Sequence, residues 1–255
     1  MYEERRQAAL RHIRSFIKKA KRLVMEINID DLIEEGGLNP YMVAALGLNT
    51  MEEVAEMFVY RRVERSLGTS FGNVIEAYLR ELLGGRSGKD YPGCSGAAVK
   101  RAGAREWICW WDIVLEREFE LDGKKYTRVC VSVKSGPADI NKDIVERFIE
   151  HAREAEEHGC KPFLALTYGK KAFAVAESTL RSWGMNPREY LLVGRELFKT
   201  FFGGPEYYDA VIEDIMSVSM EIDLFNLIEK KISELAEELR KRYGDDVGRL
   251  LKDLS

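Results

Sequence analysis

Two β-rich runs joined by a tight turn, set between segments of helical pattern, constrain this chain more than any other feature. Residues 107–121 (WICWWDIVLEREFEL) and 126–134 (YTRVCVSVK) are dense in aromatic and β-branched side chains, with Asp122-Gly123-Lys124 between them. Such residues fit a pleated, half-buried surface, and Asp-Gly is a strong hairpin-turn signal. A three-residue loop at 122–124 pairs Leu121 with Lys125, and counting outward along the ladder brings Asp112 opposite Lys134. Directly opposed Cβ atoms lie about 4.5–5.5 Å apart. A bulge shifts this by one and leaves the two groups neighbours. On the second strand Val129, Val131 and Val133 point one way, and Arg128, Cys130, Ser132 and Lys134 the other. On geometry alone, an aspartate facing a lysine is as readily a cross-strand ion pair as a reactive site. The setting favours the site: Trp110-Trp111 precede the aspartate and Ser135-Gly136-Pro137 open the strand end into a turn.

The first 83 residues read as helical. Thr50 and Glu53 form a capping box for a helix to about Leu67, and Ser70 is positioned to cap a second over residues 71–83, stopped by Gly84-Gly85. Residues 84–106 are glycine-rich, with one short strand expected near Ala97–Arg101. After the hairpin, residues 141–158 carry Ile144, Val145, Phe148, Ile149 and Ala152 on one helical face. PFLALTYG reads as a buried strand and KAFAVAE as a candidate second one; from Pro187 the chain reads as helix, ending in a long helix over residues 221–242 before Gly244. That helix carries Leu224, Leu227, Ile228, Ile232 and Leu235, a stripe that must pack on the body or on a second subunit. The expected fold is α/β, a mixed central sheet flanked by helices with helical arms at both ends. The division is a helical region over 1–70, a core over 71–180 and a C-terminal helical region over 181–255. The stretch Gly84–Asp90 (GGRSGKD) imitates a phosphate-binding loop, but its spacing fails, Asp90 stands where Ser or Thr is needed, and it follows a helix.

The 255 residues are 45% apolar and 32% charged, with a net charge of −4, so global charge does not favour a nucleic-acid coat. The charged fraction is compatible with a heat-adapted source. Cys94, Cys109, Cys130 and Cys160 make no CxxC pair, and with His12, His151 and His158 they offer no zinc-type spacing. Reduced, mostly buried thiols in a cytoplasmic protein are expected. The opening MYEERRQ carries no secretory apolar region, and no apolar run has the length of a membrane span.

Asp112-Ile113-Val114 followed across the hairpin by Ser132-Val133-Lys134-Ser135-Gly136-Pro137 resembles the PD-(D/E)xK nuclease motif, and is nearest to type II restriction endonucleases with a V-x-V-K-S-G-P strand. Asn39-Pro40-Tyr41 and Ser66-Leu67-Gly68-Thr69-Ser70-Phe71-Gly72 leading to Glu76 are similar to the helical region ahead of the site in such enzymes. Asn141-Lys142-Asp143-Ile144-Val145 resembles the helix after the lysine, and Gly194-Arg195-Glu196-Leu197-Phe198 through Gly204 a shared C-terminal segment. The series covers roughly residues 39–216.

The resemblance implies a restriction-endonuclease-like fold and hydrolysis of double-stranded DNA with Mg2+, Mn2+ being a substitute. Asp112 would hold the metal and Lys134 would orient water or stabilise charge at phosphorus. The chain departs from the family at Ser132, where an acid is expected. Some restriction enzymes carry this serine with the acid relocated to the following helix, which makes Glu146 the first candidate, Glu150 the runner-up and Glu76, from the earlier helix, a further contributor. Arg61, Arg62, Arg65, Lys142 and Arg147 are candidate phosphate contacts, although each alone is more readily a solvated helix residue. The paired tryptophans read as core packing before a base-stacking platform, and His151 and His158 as surface residues. A homodimer suits a palindromic target, and a methyltransferase for the same site would be a partner. The rival readings are a structure-specific repair nuclease of the same fold, and a non-catalytic DNA-binding or assembly protein that has lost the acid.

Overall fold

A computed structural model describes residues 2–34, 37–94, 107–121, 123–136, 140–169 and 174–254. The strand expected near Ala97–Arg101 lies outside the described residues. The chain divides into two compact units, one of residues 1–13 and 72–214, the other of residues 14–71 and 215–255. Each unit thus draws on segments distant in sequence.

The first unit holds a mixed four-stranded sheet in the order β1 (Ile113–Leu115), β4 (Arg128–Lys134), β5 (Cys160–Leu166), β6 (Leu191–Val193). β1 is antiparallel to β4, while β5 and β6 run parallel to their neighbours. A separate hairpin pairs β2 (Phe119–Leu121) with β3 (Lys124–Tyr126). β4 is buried from Val129 to Val133 and β5 along its whole length, as expected of strands covered on both faces.

Helix α5 (Lys142–Glu157) begins where Asn141 accepts the Ile144 amide, and it buries Val145, Phe148, Ile149, Ala152 and Ala155. These pack with Trp111, Val114, Cys130 and Leu164 into one core, joined by Ala176 and Leu180 of helix α6 (Ala174–Ser182). Here the structure corrects the second strand expected over KAFAVAE: residues 174–177 are helical, and 171–173 lie outside the described residues. A short helix α7 (Pro187–Tyr190) leads into β6, a strand missed in a stretch read as helix because Leu191-Leu192-Val193 is too short to show a period. On another side of the sheet Phe163 meets Phe119 and Phe201, the latter from helix α8 (Arg195–Phe202).

The cysteines are paired, Cys94 with Cys109 and Cys130 with Cys160, which corrects the expectation of reduced thiols. The second bond joins β4 to the start of β5, residues distant in sequence until the sheet forms. The glycine-rich stretch after α4 also acquires a structural role. Arg86 and Val114 exchange backbone hydrogen bonds of 2.9 and 2.7 Å, and the Gly88 amide donates to the Trp111 carbonyl. A Cβ on Gly88 would collide with the Ile108 carbonyl oxygen. Glycine is needed here for close approach of two backbones.

The second unit is helical among its described residues. It contains most of helix α1 (Tyr2–Glu26), α2 (Ile29–Ile33), α3 (Pro40–Ala45), most of α4 (Met51–Leu83), the end of α9 (Glu206–Ile222), α10 (Leu224–Tyr243) and α11 (Val247–Asp253). α4 is a single helix, not two. The Ser70 hydroxyl donates back to the Ser66 and Leu67 carbonyls, as serine does within a helix, instead of capping a new one. The stripe on α10 packs within the unit, with Leu224, Ile228, Ile232 and Leu235 all buried. No helix of the described residues is long and apolar enough to cross a membrane.

Candidate active site

The register of the hairpin decides what Asp112 faces. At the tip Leu121 pairs with Lys124, not Lys125, which corrects the three-residue loop. Between the two paired segments one arm carries residues 116–118 and the other Thr127 and Arg128, so the first holds one extra residue, which behaves as a bulge. β1 therefore pairs Ile113 with Val131, so Asp112 falls opposite Ser132 and not opposite Lys134. The Ser132 hydroxyl donates to Asp112 Oδ2 at 3.2 Å and the Val133 amide to the same oxygen at 2.7 Å. Lys134, next on that face, reaches back to place Nζ 3.9 Å from Asp112 Oδ2. The two residues singled out from sequence are neighbours on a diagonal.

Ser132 is 1% exposed, and its hydroxyl serves the carboxylate. It is a fixing group for Asp112 and a weak candidate for a cation ligand. All three protein contacts of Asp112 fall on Oδ2; Oδ1 has no hydrogen bond among the described residues.

Glu76 comes to the site from α4. Burial pushes its pKa up first, the negative charge of Asp112 pushes it further, and Arg80 and Lys89 oppose both. Arg80 Nη1 lies 2.8 Å from Glu76 Oε1, leaving Oε2 without a partner among the described residues. A carboxyl raised in pKa by burial and by the charge of a second carboxylate is one whose ionisation a divalent cation would relieve. Glu146, by contrast, is half-buried on α5 and pairs with Lys142 at 3.5 Å, and Glu150 is exposed. Among the described residues no three His, Cys, Asp or Glu side chains form a metal-ligating group. A magnesium ion needs fewer, since it commonly takes one or two carboxylates and completes its shell with water and substrate phosphate. Asp112 Oδ1 and Glu76 Oε2 are the oxygens here that such an ion could take.

A cavity of about 210 Å3 opens here, lined by Trp110, Asp112, Ser132, Lys134, Ile144 and Arg147. The paired tryptophans divide. Trp111 is fully buried and packs on Phe148, as core packing predicts, whereas Trp110 lines the cavity and stacks on His151 with ring centroids 4.5 Å apart. His158 is an exposed residue stacked on Trp107. The remaining candidate phosphate contacts belong to the other unit: Arg61 and Arg65 are exposed, and Arg62 pairs with Asp31 at 3.4 Å. Sequence reading missed Trp110 and Ile144 as cavity residues, and Arg80 as the partner of Glu76. The four-residue spacing of Glu76 and Arg80 on one helix was the available signal for the last.

Neither a comparison with protein-family models nor one with curated proteins gives a match.

Proposed function

We propose that this chain is a magnesium-dependent nuclease that hydrolyses phosphodiester bonds of double-stranded DNA, with a restriction-endonuclease-like arrangement of its sheet. The observation that carries the reading is Asp112 and Lys134 side by side on one cavity at the strand end, 3.9 Å apart, with Glu76 of α4 near enough for the charge of Asp112 to raise its pKa. The mixed sheet, with the lysine at the end of a strand between an antiparallel and a parallel neighbour, supports the fold analogy.

A DNA phosphate repels an attacking nucleophile, so the site must offset negative charge and position water. Asp112 and Glu76 would hold a magnesium ion, or manganese in its place, which would supply Lewis-acid polarisation and lower the pKa of water. The Val133 amide and Ser132 hydroxyl hold Asp112 by Oδ2 and so aim Oδ1. Lys134 keeps a positive charge against the phosphate and donates hydrogen bonds that orient water. Trp110 and Ile144 narrow the access of bulk solvent, which strengthens each electrostatic contact. Glu76 takes the place proposed first for Glu146.

Homodimerisation on a palindromic site, a methyltransferase partner and a cytoplasmic setting belong to the same proposal. Disulfides persist in oxidising compartments and in intracellular proteins of hyperthermophiles, and the second case agrees with the 32% charged composition. Met216, Met220 and Phe225, between 58% and 73% exposed, are apolar surface on which a second copy can be sought.

The test is incubation of the purified chain with plasmid DNA in magnesium, manganese or EDTA. Discrete fragments that require the metal support a site-specific nuclease, and cleavage confined to branched substrates supports the structure-specific alternative. DNA binding without cleavage in any metal points to the non-catalytic reading.

A further inference from the structure

We infer that Arg147 grips the phosphoryl group under attack and is a catalytic residue of this site, not a remote contact to the DNA backbone. The inference rests on the nuclease reading above and concerns which group meets the reacting phosphate. Asn141 fixes the start of α5, and the buried neighbours Val145 and Phe148 fix its rotation, so Arg147 lies where Glu146 does not, at the cavity. Its Nε donates to the Asp143 carbonyl at 3.4 Å, and among the described residues no carboxylate lies within ion-pair distance of it. Lys134 in the same cavity has Asp112 at 3.9 Å. The cavity thus joins the Asp112 carboxylate to two cations, of which Arg147 has no carboxylate partner among the described residues.

That distribution would suit a phosphate whose charge is offset on one side by a cation that Asp112 and Glu76 would hold, and whose non-bridging oxygens meet Arg147. A guanidinium is always charged and offers paired donors that fit two phosphate oxygens, which an isolated ammonium cannot do. In the hydrolysis a water oxygen bonds to phosphorus as one ester P–O bond breaks. The water loses its proton to solvent, and the departing oxygen takes one up. Arg147 exchanges no proton; it stabilises the charge that grows on the non-bridging oxygens.

A substrate that contains only the reacting phosphate separates the two roles. Bis(4-nitrophenyl) phosphate hydrolysis with manganese should fall on the order of 10²-fold in kcat for Arg147→Ala. Arg147→Lys should recover part of it, while the affinity for DNA in calcium changes less than tenfold. Wild-type turnover of the small diester in Arg147→Ala, with only DNA affinity reduced, overturns the inference and leaves the nuclease reading intact. If the wild type cleaves DNA but not the small diester, the single-turnover rate on a duplex at saturating enzyme decides. A loss of about 10²-fold supports the role, and an unchanged rate overturns it. Wild-type protein inert on both substrates overturns the nuclease reading and the inference together.

Discussion

Two lysines stand at opposite ends of the parallel β4–β5 pair, Lys134 across from Leu166 and Lys161 across from Val129. Lys161 is 1% exposed, with the Tyr190 ring centroid 4.1 Å from Nζ and those of Tyr126 and Phe163 each at 5.5 Å. Glu156 lies 3.8 Å away, and the Tyr190 hydroxyl donates to the same carboxylate oxygen at 3.0 Å. Burial pushes the Lys161 pKa down, and the charges of Glu156 and Glu189 pull it back up. Every group there has its partner inside the fold. Lys134 keeps a side-chain exposure of 26%, shares one carboxylate oxygen, and faces a cavity. Burial of a charge alone therefore does not mark function. Spare polar capacity beside space for a ligand does.

The strongest attempt to break this contrast removes the carboxylate from the open end. Asp112→Ala should lower metal-dependent cleavage by at least about 10³-fold, with a fall of only a few degrees in melting temperature as the Val133 amide and Ser132 hydroxyl lose their acceptor. Plasmid cleavage and thermal melting of the same sample check both halves.

One disulfide joins β4 to β5 and the other ties Cys94 to Cys109 ahead of β1, and both should matter to stability more than most single polar contacts. Cys94–Cys109 closes a separation of 15 residues and Cys130–Cys160 one of 30, which corresponds to about 3 and about 3.6 kcal/mol in the chain-entropy account. Guanidinium unfolding with and without a dithiol reductant, with thiol labelling to verify reduction, measures the loss.

At the closed end, truncation and replacement should diverge. Lys161→Ala leaves Glu156 without its cation and opens a void, and should cost on the order of 3 kcal/mol. Lys161→Met keeps the volume and should cost about 1 kcal/mol or less. Equal losses in the two variants would show that packing alone, not charge pairing, governs the cage. The pH dependence has a defined sign. A lysine whose folded pKa is lowered is protonated in the unfolded chain over the window up to its ordinary value. Its contribution therefore makes stability rise with pH there and fall as pH drops. The wild type should gain on Lys161→Met as pH is raised from neutral toward about 10. Raised pKa values at Tyr126 and Tyr190 act in the opposite direction above that range.

The smallest effect concerns Glu76. Its folded pKa is raised, so ionising it costs stability as pH rises through that range, and a bound cation should remove the cost. Magnesium should raise the melting temperature of the wild type by a few degrees, on the order of 1 kcal/mol. Glu76→Gln should melt higher without metal and lose most of the increment. An unchanged increment in that variant would remove Glu76 from the ligand set.

The parts of this architecture that can be read from sequence are those with a local cause. Asn141 starts α5, Gly84-Gly85 ends α4, and the apolar run at 162–166 is a buried strand. The neighbourhood of Asp112 and Lys134 also follows from the hairpin. The register does not, because a shorter turn and one extra residue at 116–118 each shift it by one. The proximity of Glu76 to Asp112 is equally hidden, since it depends on where a helix some thirty-six positions earlier packs. Ser70 reads as the cap of a second helix, yet α4 runs through it without a break. The disulfide partners are set by the sheet, which brings Cys130 and Cys160 together only after β4 and β5 pair.

The most direct measurement compares the two lysines in one assay, plasmid cleavage by the wild type, Lys134→Met and Lys161→Met, each shown to be folded by circular dichroism. The account predicts metal-dependent cleavage in the wild type and in Lys161→Met, and none above background in a folded Lys134→Met. Cleavage by Lys134→Met at the wild-type rate would contradict it and place the chemistry elsewhere in the molecule.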